Sequence, residues 1–196
     1  MSLTTFAEQA FADFQATAAI APSSRFLAQK MVQPLPLQDA EVVVEFGPGT
    51  GVMTRELLRL LPSTATVLAF EINPRFVSYL NENFSDPRLH VLTAGAETAG
   101  DELRRRGYRR VDAVLSSLGL SMMEDERRHE ILQGLAPFLD ENSVFTQFQY
   151  MQRLQFRDGR PVHYDVRDCL RLYFRHIQRG MVLRNLPPAF VFDCRK

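Results

Sequence analysis

The segment from residue 42 to residue 54 constrains the fold more than any other part of the sequence. Three valines, Glu45 and Phe46 are followed by Gly-Pro-Gly-Thr-Gly and then by a helical stripe of apolar residues. Glycines permit a tight turn and the close approach of a ligand to the backbone. The first turn of the following helix offers N–H groups without helical partners. The segment therefore predicts a strand, a ligand-binding turn and a helix in direct succession.

The spacing of this turn excludes two common phosphate-binding motifs. Its third glycine comes one residue too early for G-x-G-x-x-G, and no Gly-Lys-Ser/Thr follows, as a P-loop requires. The turn comprises Gly47, Gly49, Thr50 and Gly51, and an acid, Glu45, precedes it.

A second acid, Glu71, ends the next predicted strand, 20 residues after Gly51. A carboxylate there can accept hydrogen bonds from both hydroxyls of a ribose. Alone, Glu71 is also explained as an acid near the start of a helix. Its combination with the glycine turn favours a nucleoside site.

Strands alternate with helices as far as residue 150, which predicts a parallel α/β sheet with helices on both faces. We expect a single domain over 1–196. The predicted strands are 41–46, 66–70, 88–93, 111–115 and 143–150, and the predicted helices between them are 50–61, 74–84, 98–106 and 124–138.

The two ends of the chain add further elements. Residues 3–20 show a stripe of phenylalanines and predict a helix, either at a membrane surface, as a lid, or packed on the body of the protein. Ser24 is placed to cap a short helix through Met31. Residues 165–179 predict an amphipathic helix, and 181–186 and 189–194 predict an antiparallel hairpin.

Composition indicates the cellular location expected for the chain. No run approaches the roughly 18 apolar residues that a membrane span needs, and no basic region precedes an apolar one at the N-terminus. Two cysteines favour a reducing compartment, and so a cytoplasmic location.

The charge is unevenly distributed along the chain. Residues 1–150 carry 13 Lys and Arg against 19 Asp and Glu, a net charge of −6, whereas residues 151–196 carry 10 against 4, a net charge of +6. Arginine pairs bidentately with phosphate. From charge alone, the arginine-rich end is either a solvated face or a phosphate-facing surface.

The acid-x-G-x-G-x-G pattern resembles motif I of class I S-adenosylmethionine (SAM) methyltransferases. The resemblance implies a Rossmann-like, mainly parallel seven-stranded sheet with a C-terminal antiparallel hairpin, SAM as cofactor and S-adenosylhomocysteine as product. It implies that Glu71 binds the ribose and that Ile72 lies against the adenine. Glu97 or the backbone of Ala96 would meet the adenine amino group.

A narrower resemblance is to bacterial phospholipid N-methyltransferases. The chain departs from that family at Ser117-Leu118-Gly119, where Gly-Leu-Pro is common, and it has no matching motif between 153 and 184. The segments that carry the resemblance are 19–28, 45–54, 112–116, 145–150 and 185–189.

This family implies methyl transfer to the amine of phosphatidylethanolamine and its methylated intermediates, toward phosphatidylcholine, by an enzyme peripherally associated with the inner membrane surface. Its lipid partner would lie at an anionic membrane surface. Ser24, Arg25 and Phe26 would close the methionine end of SAM. Ser116 would face the methyl group, and the Tyr150 ring could hold the ammonium, unless it is an ordinary strand aromatic. We expect no metal, and the residues identify no firm general base.

Three alternatives remain open. The first is an rRNA adenine N6-dimethyltransferase-like enzyme, the second a small-molecule amine methyltransferase, and the third a SAM-binding module without activity. Residues 116–120 lack the Asn/Asp-Pro-Pro-Tyr/Phe of nucleobase amino methyltransferases, so no aromatic ring is available there to stack on a flipped base. The formal net charge is zero, so we expect no stable nucleic-acid partner.

Overall fold

The computed structural model describes residues 23–151 and 165–196, together with the backbone of 155–157 and 160–162. The predicted helix over 3–20 therefore lies outside the described residues. Of the arginines that follow Tyr150, those at 153, 157 and 160 also lie outside the described side chains.

Strands alternate with helices along the described chain, as predicted. In chain order the strands are β1 (Val42–Phe46), β2 (Thr66–Glu71), β3 (Leu89–Thr93), β4 (Ala113–Ser116), β5 (Val144–Tyr150), β6 (Gln155–Arg157), β7 (Arg160–Val162), β8 (His176–Val182) and β9 (Ala189–Arg195). The helices are α1 (Arg25–Val32), α2 (Val52–Leu60), α3 (Pro74–Asn83), α4 (Ala99–Arg105), α5 (Asp125–Leu135) and α6 (Arg167–Leu170). None of these described helices is long and apolar enough to cross a membrane.

Seven of the strands form one sheet with the order β3-β2-β1-β4-β5-β9-β8. Strands β1 to β5 pair in parallel, and β9 and β8 are added antiparallel at one edge. Strands β6 and β7 form a separate hairpin between β5 and α6. This arrangement confirms the predicted mainly parallel Rossmann-like fold with a C-terminal antiparallel hairpin.

The two faces of the sheet carry two apolar cores. On one face Leu27 of α1 and Leu57 of α2 lie in the same core as Val43 of β1. On the other face Leu132 of α5 lies in the same core as Phe46 of β1. Because β1 is covered on both sides, all five of its residues are buried, which explains why it appears in the sequence as a continuous run without polar alternation.

The predicted helix over 165–179 is wrong over most of its length. Helix α6 ends at Leu170, turns follow, and β8 begins at His176. Strand β8 pairs with β9 over seven residues, from His176 opposite Arg195 to Val182 opposite Ala189. This long-range backbone pairing overrides the local helical periodicity.

The first strand of the predicted hairpin is displaced for the same reason. It was expected over 181–186, but β8 ends at Val182 and residues 183–188 form the connection to β9. The second strand is close to its predicted position, since β9 spans Ala189–Arg195.

Close packing at the start of α2 requires a glycine. Gly51 has a φ of +76°, a conformation that side chains with a Cβ disfavour. A Cβ at Gly51 would also lie 2.5 Å from the ring of Phe84 and 2.9 Å from Cδ2 of Leu80, both at the end of α3. Gly51 therefore fixes how closely α3 approaches the glycine turn.

Gly51→Ala should lower the free energy of unfolding by more than Gly107→Ala. Gly107 also has a positive φ, of +79°, but among the described residues beyond its chain neighbours a Cβ there would meet no atom within 4 Å. We expect roughly 1 kcal/mol for the backbone strain alone at Gly107, and about 1–3 kcal/mol more at Gly51 from the overlap with α3. Urea denaturation measures both, and equal losses would contradict the packing role of Gly51.

Candidate functional site

The carboxyl ends of three neighbouring strands meet at one edge of the sheet. Phe46 at the end of β1 is in register with Phe70 of β2 on one side and with Ser116 of β4 on the other. The strand order reverses between β1 and β4, because the chain leaves β1 for β2 and returns for β4. Ligands of open α/β sheets bind in the crevice at such a switch point. The glycine turn and Glu71 both border this crevice.

Three left-handed glycines shape the turn after β1. Gly47, Gly49 and Gly51 have φ values of +67°, +57° and +76°. Apart from its chain neighbours, no described residue has an atom within 4 Å of the position that a Cβ would take at Gly49, so the backbone there is open to an approaching ligand. Thr50 is exposed at the tip of the turn.

The Glu71 carboxylate joins the glycine turn to the end of β2. Its Oε2 accepts a hydrogen bond from the Gly49 N–H at 3.1 Å, and its Oε1 accepts one from the Asn73 N–H at 2.9 Å. Burial raises the pKa of Glu71, although these backbone hydrogen bonds oppose the shift. The Ile72 backbone also donates a hydrogen bond to this carboxylate, whose four lone pairs leave acceptor capacity beside the three backbone bonds. Next to Glu71, the apolar side chain of Ile72 is 51% exposed.

Glu45 lies below the turn and is completely buried. Its Oε2 accepts a hydrogen bond of 2.8 Å from the Thr54 hydroxyl of α2, and its Oε1 has no hydrogen-bond partner among the described residues. Burial raises the pKa of Glu45 to about 8; the Thr54 hydrogen bond opposes this shift, and the charge of Glu71 adds to it. Glu45 therefore holds the start of α2 from beneath and does not line the surface of the crevice.

The loop after β3 carries the next predicted site residues. Ala96 is buried, and Glu97 forms an ion pair of 3.3 Å with Arg127 of α5. The Glu97 carboxylate also folds back over Gly95, where a Cβ would lie 2.1 Å from one of its oxygens. Glu97 is thus held at the border of the crevice by α5.

The two predicted catalytic residues lie on opposite faces of the sheet. Ser116 is completely buried and in register with Gln147, whereas Tyr150 packs against the core on the α1 side. The Ser116 hydroxyl has no hydrogen-bond partner in the described part of the chain. The structure therefore does not bring Ser116 and Tyr150 together, although both lie near the carboxyl ends of their strands.

Two buried side chains that sequence reasoning missed hold the segment after β4. The Gln147 amide donates to the Leu118 carbonyl at 2.8 Å. Arg128, which is 4% exposed, donates to the carbonyls of Leu120 and Met123. The residues just past Ser116 are therefore fixed from β5 and from α5. The only sequence signal for Arg128 was its place in a charged run, which usually indicates a solvated face.

The start of α1 meets the C-terminal part of the chain near this edge. The Ser24 hydroxyl accepts a hydrogen bond of 3.2 Å from the Leu27 N–H, which confirms the predicted cap. The Ser24 N–H donates to Oδ1 of Asn185 at 2.9 Å. The Phe26 ring lies close to two guanidinium groups, with its centroid 5.0 Å from the guanidinium carbon of Arg25 and 5.3 Å from that of Arg184. The described part of the segment 19–28, which begins at residue 23, and the segment 185–189 thus come together through Ser24 and Asn185.

The free energy of unfolding should fall as the pH rises from about 4.5 to about 8, because folded Glu45 keeps a proton that the unfolded chain releases above pH 4.5. Glu45→Gln removes this titration and keeps an oxygen for Thr54. The unfolding free energy of this variant should fall less than that of wild type. The difference is about 1.4 kcal/mol for each pH unit over which Glu45 is protonated in the folded protein but not in the unfolded chain. Urea denaturation at pH 5 and pH 8, with the exposed Glu82→Gln as control, measures the difference. Parallel falls in wild type and Glu45→Gln would contradict the buried, protonated carboxyl.

Comparison with known proteins agrees with this geometry. The sequence profile of the family described as "Methyltransferase domain" matches residues 43–142, about half of the chain. An ornithine lipid N-methyltransferase from Singulisphaera acidiphila is 28% identical over 181 residues, which cover 92% of this chain and 88% of that protein. Ribosomal RNA small subunit methyltransferase A from Thermobifida fusca is 30% identical over 137 residues, which cover 67% of this chain and 45% of that protein.

A solved structure has the same fold. The 1,6-didemethyltoxoflavin-N1-methyltransferase of Burkholderia thailandensis, crystallised with S-adenosylhomocysteine, superposes with a TM-score of 0.70 at 17% identity and covers 100% of this chain and 91% of that one. Together with the family match, these findings confirm the fold and cofactor class predicted from the glycine turn. The chain belongs to the methyltransferase-domain family and is a class I SAM-dependent methyltransferase similar to a lipid N-methyltransferase.

Proposed function

We propose that the protein transfers methyl groups from SAM to the amine of a lipid head group, with phosphatidylethanolamine and its methylated intermediates as acceptors. The reaction would lead toward phosphatidylcholine and would take place at the inner membrane surface. The described helices include no membrane span, so we propose peripheral association with this surface.

The extent of the similarity to the ornithine lipid N-methyltransferase carries this proposal. That similarity covers 92% of the chain and therefore continues well beyond the cofactor-binding strands into the C-terminal residues. Matches to the ribosomal RNA methyltransferases cover between 35% and 67% of the chain and at most 45% of those proteins. Shared cofactor binding accounts for the partial matches, whereas the lipid relative also shares the part of the chain available for an acceptor.

The crevice residues suit SAM in shape and in chemistry. We propose that Glu71 accepts hydrogen bonds from the ribose hydroxyls through the lone pairs left by Gly49, Ile72 and Asn73. The exposed Ile72 would cover one face of the adenine. The backbone of the turn formed by Gly47, Gly49, Thr50 and Gly51 would lie under the methionine part, where the open space at Gly49 supports a close approach.

Residues on two loops would complete the cofactor site. Ala96 and Glu97 would border the adenine amino group, and the ion pair of Glu97 with Arg127 favours the backbone of Ala96 as the direct contact. Ser24, Arg25 and Phe26 would close the methionine end. The support for this role is that Asn185 fixes the Ser24 backbone in place. Glu45 would act indirectly, by holding Thr54 and the start of α2.

The chemistry asks the protein mainly to position two reactants. Bound SAM supplies an electrophilic methyl group on a positively charged sulfur. The acceptor nitrogen uses its lone pair for the new N–C bond, the electron pair of the broken C–S bond stays on sulfur, and the amine loses one proton for each methyl group added. Ser116 would lie below the reacting carbon. Tyr150 packs on the opposite face of the sheet, so we assign it no contact with the ammonium. Of the acids that follow β4 and could serve as a base, Asp125 is paired with Arg128, which argues against that role for it.

Glu71→Ala should weaken binding of S-adenosylhomocysteine at least tenfold, since it removes charged acceptors worth roughly 1.5–3 kcal/mol per hydrogen bond. Isothermal titration calorimetry measures the affinity, and thermal unfolding checks that the fold is retained. Glu82→Ala, the same change on the exposed face of α3, should leave the affinity unchanged. Unchanged affinity in Glu71→Ala would rule out the ribose contact.

The acceptor is tested by supplying SAM labelled in the methyl group together with three substrates in separate reactions. These are phosphatidylethanolamine vesicles, ornithine lipid vesicles and undermethylated ribosomal RNA. We expect label in the lipid extract of the first reaction. Label in ornithine lipid alone would support an aminolipid acceptor but contradict phosphatidylethanolamine as that acceptor. Label in the RNA alone would refute lipid methylation.

A further inference from the structure

The loop between β8 and β9 exposes an unusual amount of apolar surface. Leu183 and Leu186 are 66% and 64% exposed, and Met181 at the end of β8 is 53% exposed. Large apolar side chains that cluster at the surface indicate a contact with another molecule or with a membrane. We call residues 183–186 the leucine loop.

The backbone of the leucine loop is held in place between its two leucines. Asn185 is buried; its Nδ2 donates to the Pro187 carbonyl at 2.7 Å, and its Oδ1 accepts from the Ser24 N–H at 2.9 Å. Because Asn185 points inward, Leu183 and Leu186 are presented to the outside from a fixed base. Their exposure is thus a feature of the loop's geometry.

The leucine loop lies beside the proposed cofactor site and is positively charged. Arg184 contacts Phe26, which Arg25 also contacts from the side of α1. Exposed Arg179 lies 4.6 Å from the Phe190 ring, on the other face of the sheet. Residues 176–192 contain no Asp or Glu. Exposed leucines flanked by arginines match the interfacial region of an anionic bilayer, where apolar chains lie below phosphates.

We propose that the leucine loop docks the protein on an anionic phospholipid bilayer. Leu183 and Leu186 enter the interface, and Arg184 and Arg25 contact lipid phosphates. The proposal deepens the lipid methylation proposed above and rests on it, since docking at this edge would turn the cofactor crevice toward the head groups.

Charge and size favour a bilayer over a second copy of the chain. A symmetric dimer through the leucine loop would set the same arginines of two copies against each other, and like charges repel. Two leucines also cover far less than the roughly 800 Å² per partner of a stable protein interface. An anionic bilayer combines negatively charged phosphates, which attract the arginines, with an apolar interior, which accepts the leucines. The surface is therefore complementary to a membrane.

The test is vesicle co-sedimentation of Leu183→Ser/Leu186→Ser on vesicles of equal parts phosphatidylglycerol and phosphatidylcholine, which contain no acceptor amine. We expect wild type to bind and the double variant to bind at least about tenfold more weakly. Arg184→Gln should bind more weakly at low salt and lose part of the salt dependence. Circular dichroism and S-adenosylhomocysteine affinity check that the variants are folded.

The matched control is Leu172→Ser/Tyr79→Ser. Leu172 is 69% exposed before the start of β8, at the opposite end of that strand, and Tyr79 is 42% exposed on α3. This control should bind vesicles like wild type. Wild-type binding by the leucine-loop variant, or no binding by wild type, would overturn the proposal. So would a change from dimer to monomer in sedimentation with vesicle binding intact, since it would assign the leucines to a second copy.

Wild type is assayed separately for methyl transfer to phosphatidylethanolamine in detergent micelles, where no bilayer is needed. If wild type methylates the lipid in micelles but the leucine-loop variant binds vesicles as well as wild type does, the proposed function stands and the docking proposal is rejected. If vesicle binding depends on the leucines but no aminolipid is methylated, the docking proposal stands and the proposed function is rejected.

Discussion

The hydrogen bond between the Gly49 N–H and the Glu71 carboxylate is the contact on which the site depends. It joins the turn after β1 to the end of β2 at 3.1 Å, across the two strands that begin the fold. The left-handed conformations of Gly47, Gly49 and Gly51 make this geometry accessible. The second hydrogen bond of Glu71, from Asn73, ties the start of α3 to the same carboxylate. One buried acid thus organises a turn, two strand ends and a helix start.

Local sequence determines this part of the molecule, and so it could be predicted. The strand, the glycines and Glu71 lie within 30 residues of one another, and each residue type has a direct conformational or chemical reason for its position. The same holds for the cap at Ser24, which the structure confirms. The alternation of strands and helices as far as β5 was also visible, because buried strands and amphipathic helices carry different periodicities.

Features that depend on contacts distant in sequence could not be predicted. Residues 176–179 were assigned to a helix because their apolar spacing fits one, but they pair with β9 instead. Arg128 belongs to a charged run, yet it is buried because the carbonyls of Leu120 and Met123 satisfy it. Gln147 likewise acts on a carbonyl 29 residues away. Predicting these roles would require knowing which loop packs against which strand in the folded protein.

The cofactor side and the acceptor side of the site therefore differ in kind. The cofactor side uses backbone groups and one carboxylate of neighbouring strands. In the proposed function the acceptor side is assembled from β5, α5 and the C-terminal hairpin, and Asn185 links this hairpin to α1. Acceptor specificity would then depend on long-range packing. The partial matches to ribosomal RNA methyltransferases, which cover 35% to 67% of the chain, agree with this proposal.

Hydrogen–deuterium exchange with and without S-adenosylhomocysteine tests directly whether the cofactor binds at the carboxyl ends of β1 and β2. We predict that adding the nucleoside slows the exchange of the backbone amides within 47–51, 71–73 and 95–98. Amides of β8, at the far edge of the sheet, should exchange at the same rate in both states. Unchanged exchange over 47–51 and 71–73, or protection confined to other strands, would contradict a cofactor site at the carboxyl ends of β1 and β2.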